Sequence, residues 1–459
     1  MPIAFDLIPY LAMKNNKLLI GPGTVVTFGK ENKILQSSGI LVEDDEIKEI
    51  GEWKELEEKN KSAMMLDADG RVIMPGLINA HTHLYNSFAR WISMPGEDSN
   101  NLQNIPDKLQ SKLERALQVE DCYLSAVVPI IQGLKKGVTT YIDHHCSPFY
   151  RDTTPLGCLD EVGQAVIDLG VRACLCCEVS DRDGEMLTLS EISENERFIE
   201  MTRSGHGGGR LSSMIGLHSQ FTCSDETLEA VRQLDSYEKA GIHVHCAETL
   251  SDVEDARSRG FEGAVARLAE FNLLTEKTIL ANCVHLTEKE IELISNSSSA
   301  VVYQNAVGAA DIIKLMKKEI TVGVGTDEIS PNLLGDFKTS AGLQHHKKKY
   351  SHAGLSEPIK LLTEGNPAIA SRYFEKPVGM IEAGSYADIA VMDYYPPTHL
   401  AKESFDEHLL SELLNSDAMH TICHGKVIIK DKKLKGNFDE EALSELAKEH
   451  AEDLRQRII

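Results

Sequence analysis

The 459-residue sequence predicts an α/β fold: a (β/α)8 TIM barrel accompanied by a small β-domain drawn from both chain ends. Three observations predict it. Eight apolar strand-like runs alternate with amphipathic helical stretches over about 300 residues, and parallel strands need such helical crossovers. The segments outside that stretch are β-rich, and a barrel of roughly 250 residues leaves them as a remainder. An open doubly wound sheet is the rival, but its Gly-rich phosphate loop is missing, and Gly207 to Gly209 has neither the spacing nor the following helix.

In chain order, Lys17 to Met74 shows short alternating segments with turn signals, at Leu18 to Ile20, Thr24 to Phe28, Gly39 to Val42 and Glu46 to Ile50. Eight strands are expected next: Val72 to Asn79, Thr139 to Ile142, Ala173 to Val179, Met214 to Leu217, Ile242 to His245, Thr278 to Asn282, Ala300 to Tyr303 and Ile320 to Gly325. Helical periodicity intervenes at Leu156 to Leu169, Asp225 to Ala240, Ala264 to Leu273 and Glu288 to Ser295. Asp388 to Asp393 and His420 to Ile429 return to the β character of the start. The expected division is 1–73 and 376–459 for the β-domain, the latter with a C-terminal helix, and 74–375 for the barrel.

With 47 Lys and Arg against 71 Asp and Glu, the net charge of −24 repels phosphate backbones and anionic lipid, so neither nucleic acid nor membrane is an expected partner. The start, Met1 to Leu11, carries Asp6 and no basic segment, and no apolar stretch approaches roughly 18 residues. Ten cysteines scattered among apolar runs read as small hydrophobes in a reducing cytoplasm. Cys174 to Cys177 is formally CxxC, but it lies within a buried-strand pattern and is weak evidence for a redox or metal site.

Functional groups of a barrel gather at the C-terminal strand ends. The first strand ends in His81-Thr82-His83, whose imidazoles at i and i+2 share one face and can reach one metal. Alone this pattern is common. The fifth strand ends in His243-Val244-His245 followed by Glu248, and the eighth in Gly325-Thr326-Asp327, so three strand ends carry metal-ligand types.

The segment "MPGLINAHTHLYNSFAR" resembles the first metal motif of the amidohydrolase superfamily, in its aminohydrolase and chlorohydrolase branch. "GVTTYIDHHCSP", "GLHSQFTCSDETL", "HVHCAET" and "VGVGTDEISPN" follow in the family's order, and "RACLCCEVSDRDGE" is similar to SsnA-type aminohydrolases. "GMIEAGSYADIAVMD" looks like the return into the family's composite β-sandwich domain, formed by the N- and C-terminal segments. The resemblance implies one divalent metal, Zn²⁺ first with Fe²⁺ or Mn²⁺ as alternatives, held by His81, His83, His245 and Asp327. It implies that Asp327 takes a proton from the attacking water, and that Glu248 delivers one to the ring nitrogen or leaving group. Binuclear relatives use a carboxylated lysine on the fourth strand; Met214 to His218 holds none, which favours a single metal.

His218 matches a substrate-contacting histidine, with a structural role as its rival. Of His144 and His145 one is expected to face the substrate, since neighbours on a strand point oppositely, and His145 is taken as that one. Arg90 is a candidate for an anionic or carbonyl-rich substrate, while His345 and His346 read as solvated helix surface. The chain departs from the family on strand six, where "AHCVHL" becomes "ANCVHL": Asn282 replaces an imidazole that can titrate, and His285 is the other candidate for that role. After strand seven the usual "HNPxSN" becomes Tyr303-Gln304-Asn305.

The expected activity is hydrolysis of a C–N bond in a planar N-heterocycle, such as a purine derivative, by deamination or by opening a cyclic amide or amidine ring. A non-catalytic metal- or ligand-binding homologue is the alternative from another class, motivated by Asn282. Partners are then a small heterocyclic substrate, with homo-oligomers compatible as an accessory property.

Overall fold

The computed structural model describes residues 17–91, 112–148, 155–304, 310–327, 332–348, 356–436 and 439–458. The side chain of Arg90, the loop from Met94 to Lys108, and the rings of His345 and His346 lie outside the described residues.

Eight parallel strands form the centre: β1 (Leu77–Thr82), β2 (Val138–His145), β3 (Arg172–Val179), β4 (Ile215–Ser219), β5 (Ile242–Cys246), β6 (Ile279–Asn282), β7 (Ala300–Tyr303) and β8 (Val322–Val324). They neighbour one another in chain order, with the short Leu211–Ser213 strand pairing beside β3. The fold is the predicted barrel. Alternation along each strand sorts its side chains. Ile78, Ala80, Ile142, Cys174, Cys176, Ala300 and Val302 share the interior cluster, whereas Ala173, Leu175, Val244, Val301 and Val324 join the larger core against the outer helices. All ten cysteines are buried and free, four of them on β3 and β5.

The barrel closes between β8 and β1, where among the described residues a single bridge, Thr82 to Asp327, joins the two. Side-chain amides supply what the ladder lacks. Asn366 accepts from the Val324 amide at 2.7 Å and donates to the Ile78 and Val324 carbonyls at 2.6 and 2.9 Å. Asn79 donates to Thr326 Oγ1 at 2.8 Å and accepts the Thr326 amide at 3.2 Å. These bonds satisfy buried backbone groups that an incomplete ladder would leave orphaned. They also fix where Asp327 begins.

The expected first strand, Val72 to Asn79, is two strands. Val72–Pro75 belongs to the terminal sheet, and β1 starts after Gly76, where an added Cβ would lie 2.2 Å from Thr139 Oγ1. The expected helix Asp225 to Ala240 is likewise divided into Asp225–Arg232 and Tyr237–Ala240, with Asp235 and Ser236 between them. Such short polar side chains compete for backbone groups and disfavour a helix interior.

N- and C-terminal strands join into one nine-stranded mixed sheet, in which Ile389–Met392 pairs antiparallel with Val72–Pro75. The two ends therefore meet. A buried ion pair fastens this sheet to the barrel floor: Arg172 Nε lies 2.8 Å from Asp388 Oδ2, its guanidinium stacks 3.6 Å over the Tyr386 ring, and Asp388 Oδ1 accepts the His424 amide at 2.7 Å. Among the described residues no helix is long and apolar enough to cross a membrane.

Candidate metal centre

The inward alternation that builds the barrel interior also sends polar side chains to its C-terminal mouth. On β2 the interior Ile142 predicts His144, on β3 Cys174 and Cys176 predict Glu178, and on β5 the outward Val244 leaves His243 and His245 inside. On β1 the parity changes. Ile78 and Ala80 face inward, and a register irregularity between Asn79 and Thr82 then turns His81 and His83 to the interior. Bulges of this kind re-aim side chains next to active sites.

One nitrogen from each of His81, His83 and His245 and one oxygen of Asp327 converge, all within 4.8 Å of one another and all buried. Asp327 Oδ1 is 3.3 Å from His81 Nε2 and 3.4 Å from His83 Nε2, and the Nε2 atoms of His83 and His245 are 3.2 Å apart. Ligands bound at 2.0–2.1 Å to a tetrahedral zinc lie roughly 3.3–3.4 Å apart, so the three edges fit one such ion.

The far side of each ring fixes its lone pair. His245 Nδ1–H donates to the His218 carbonyl at 2.7 Å, which leaves Nε2 as the lone pair facing the other donors. His81 Nδ1 lies 2.8 Å from His243 Nε2, a contact that leaves His81 Nε2 for the centre when Nδ1 carries the proton. Among the described residues His81 Nε2 has no well-directed hydrogen-bond partner, and it faces Asp327 Oδ1. A buried ligand set with a carboxylate, three imidazoles and no thiol is suited to zinc or iron.

Electrostatics agree. Burial, the largest influence, lowers the His81 pKa to about 4, with the neighbouring His83 adding to the effect and Asp327 opposing it. His243 and His245 are also pushed well below the usual imidazole value, first by burial and then by His144 and the adjacent rings. The rings are therefore neutral near pH 7 and ready to ligate without first losing a proton. Burial alone would raise Asp327, but the adjacent His81 and His83 imidazoles hold it far below the carboxylate range.

The remaining expected residues divide. His218 borders the cluster, its ring centre 5.9 Å from that of His245 and its Nδ1 3.0 Å from Thr222 Oγ1. Burial, followed by the charge of Arg182, lowers its pKa to about 3. Glu248 is half-buried two residues beyond β5, and its amide donates to Asp252 at 3.2 Å. Asn282 is buried, with Oδ1 accepting from Gln304 Nε2 at the end of β7. Among the described residues Asn282 Nδ2 and Gln304 Oε1 have no partner, so there the amide pair retains a donor and an acceptor.

His285 is half-buried, with its amide on the Ala247 carbonyl, and its ring does not join the converging donors. His145 lies on the outward face of β2, with Nε2 3.3 Å from Cys122 Sγ and Nδ1 3.4 Å from Asp143 Oδ2, while His144 takes the interior place. The outward parity of the odd β2 positions, shared with Tyr141, is the reason. Glu178 was not anticipated. Its signal was a lone acid at the C-terminal end of an otherwise apolar strand run.

Four non-glycine residues at these strand ends have left-handed backbones: Ala247 (φ 51°), Asn282 (φ 76°), Cys283 (φ 52°) and Asp327 (φ 56°). Such conformations cost of order 1–3 kcal/mol each and cluster where a site needs them.

Against known proteins, the amidohydrolase family profile matches residues 72–428. The chain is 29% identical over 456 residues to a 5′-deoxyadenosine deaminase of Methanosarcina barkeri, spanning 96% of this chain and 99% of that one. It is 29% identical to a 5-methylthioadenosine/S-adenosylhomocysteine deaminase of Caldanaerobacter subterraneus, over 88% and 92% of the two chains. Among solved structures it resembles an atrazine chlorohydrolase of Arthrobacter aurescens complexed with zinc, with TM-score 0.78, 21% identity, and 95% and 100% of the chains covered. A zinc-bound adenosine deaminase of Xanthomonas campestris gives TM-score 0.79 at 19% identity, covering 96% and 98%.

Proposed function

The chain belongs to the amidohydrolase family, and from that premise we propose that it is a metal-dependent hydrolase of non-peptide C–N bonds, releasing ammonia from an aminopurine nucleoside. The observation that carries this reading is the His81, His83, His245 and Asp327 set, with ligand edges of 3.2–3.4 Å. The deaminase relatives make 5′-modified adenosines the first substrates to try. The segment from Arg172 to Glu185 supports the narrower SsnA-type assignment.

A zinc ion in this set would supply Lewis acidity, lowering the pKa of a coordinated water toward neutrality. His81, His83 and His245 provide ring nitrogens for the ion, and His243 and the His218 carbonyl hold two of those rings in orientation. Asp327 stays ionised and is the proton acceptor; Glu248, at the rim, carries a proton to the ring nitrogen or the departing amine. The Asn282 and Gln304 amides offer a donor and an acceptor to the heterocycle edge. His218 borders the same space.

Ring opening is the second reading, favoured by Asn282, which cannot carry the proton that a strand-six imidazole could. The deciding experiment incubates zinc-loaded protein with 5′-deoxyadenosine, 5-methylthioadenosine, S-adenosylhomocysteine and a panel of cyclic amides, measuring ammonia and ring absorbance separately. Chelator-sensitive ammonia release with an intact ring supports deamination. Loss of the ring chromophore supports ring opening, and no turnover on the panel counts against both.

A further inference from the structure

A second group of metal-ligand types lies beside the first, on the β1 to β3 side of the barrel: His83, His144 and Glu178, with one donor atom each within 4.8 Å of the others. His144 and Glu178 play no part in the mechanism above. His144 is fully buried and Glu178 is 3% exposed.

The orientation of His144 makes the arrangement informative. Its Nε2 lies 3.1 Å from the His243 carbonyl oxygen, which only accepts, so Nε2 donates there and Nδ1 is the nitrogen turned toward the group. That nitrogen lies 2.9 Å from Glu178 Oε1. Among the described residues Glu178 Oε2 has no hydrogen-bond partner. A buried carboxylate and two imidazole nitrogens facing one another make a donor set that a cation can complete. His83 Nδ1 is 3.6 Å from the same Oε1, so the two separations bracket the roughly 3.3–3.4 Å expected between ligands of one tetrahedral zinc.

We propose that His144 Nδ1, Glu178 and His83 Nδ1 form a second divalent-cation site, of the imidazole and carboxylate class that accepts zinc or manganese. His83 then stands between two ions, Nε2 toward the first set and Nδ1 toward the second. Coordination at both nitrogens requires release of its last ring proton to solvent, which the added positive charge favours. Three protein ligands leave a position open for water or a substrate oxygen. The arrangement uses strands two and three and needs no lysine on strand four. It shares His83 with the first site and rests on that reading only there.

The test is metal binding, independent of turnover. Full-length protein is stripped with chelator, saturated with Zn²⁺, desalted and analysed for zinc per chain. Two equivalents are expected for the wild type, falling to one in both Glu178→Gln and His144→Gln, because each variant removes one ligand of three. One equivalent in the wild type overturns the proposal without reference to any variant. So does a second equivalent that survives both substitutions, since it is then bound elsewhere. Loading with Cu²⁺ adds a readout of the bridge: exchange coupling in the electron paramagnetic resonance spectrum is expected, and two magnetically isolated ions would refute the role of His83. Failure of any of these leaves ammonia release by the one-zinc enzyme untouched, so the two readings fail separately.

Discussion

Gly325→Ala tests how closely the first metal set depends on the β8 to β1 seam. A Cβ built on Gly325 lies 2.4 Å from the His81 carbonyl oxygen, 2.8 Å from its nitrogen and 2.9 Å from its Cβ. Real Cβ atoms essentially never approach below 3.0 Å, so the backbone of His81 or of Gly325 must move by at least the difference of 3.0 and 2.4, or 0.6 Å. Metal–ligand distances tolerate about 0.2 Å, and this displacement acts on His81 and on the strand delivering Asp327 at once. The overpacking should cost about 1–3 kcal/mol of stability. The misplaced ligand pair should lower activity by about 10²-fold, the scale of a 1 Å error at a reacting centre. Zinc content after desalting, the thermal unfolding midpoint and kcat/KM on whichever substrate the panel identifies are the three measurements. A folded Gly325→Ala protein with full zinc content and unchanged kcat/KM would refute the claim that this close approach sets the ligand geometry.

Glu248→Gln should retain zinc and lose about 10²–10⁴-fold in kcat, because the amide cannot deliver a proton; equal activity in the variant removes Glu248 from the mechanism. Arg172→Met should destabilise the protein by about 3–5 kcal/mol in urea denaturation, since Asp388 remains buried without its partner, and a change near zero would mean that water reaches the carboxylate. For metal-free protein the His81 pKa of about 4, against 6.5 in the unfolded chain, gives a defined acid dependence. Between those values the unfolded state binds the proton and the folded state does not. Stability from this group is therefore present above pH 6.5 and lost as pH falls toward 4, by up to about 3 kcal/mol. Denaturation of the metal-free protein at pH 7 and pH 5 checks it: equal stabilities contradict the burial argument, and His81→Asn should flatten the difference.

How far the site could be read from sequence depended on whether a residue's direction was set locally. His81 and His83 were legible because two imidazoles at i and i+2 share a face whatever the neighbouring strands do. Asp327 and His245 were legible because they end apolar runs. His144 and His145 were not separable, because a one-residue change of parity exchanges inside for outside and only pairing decides it. In the structure Ile142 lies opposite Cys174 and His144 opposite Cys176, which places the even residues of both strands in the interior and sends His145 to Cys122. The seam was equally hidden, since Asn366 contacts Ile78 across 288 positions of sequence.

That register has a chemical consequence for the departures from the family pattern. The parity that admits His144 also admits Glu178 two positions beyond Cys176 on the adjoining strand, so an acid and an imidazole face each other on strands two and three. Across the barrel, the ends of strands six and seven contribute the neutral amides Asn282 and Gln304. The acids and imidazoles thus lie at the ends of strands one to five and eight, and the fixed hydrogen-bonding amides at the ends of strands six and seven. A planar heterocycle entering between them would meet a neutral reading edge at Asn282 and Gln304 and a charged face toward Glu178. Its attacked carbon must then lie toward the His81, His83, His245 and Asp327 set that divides the two.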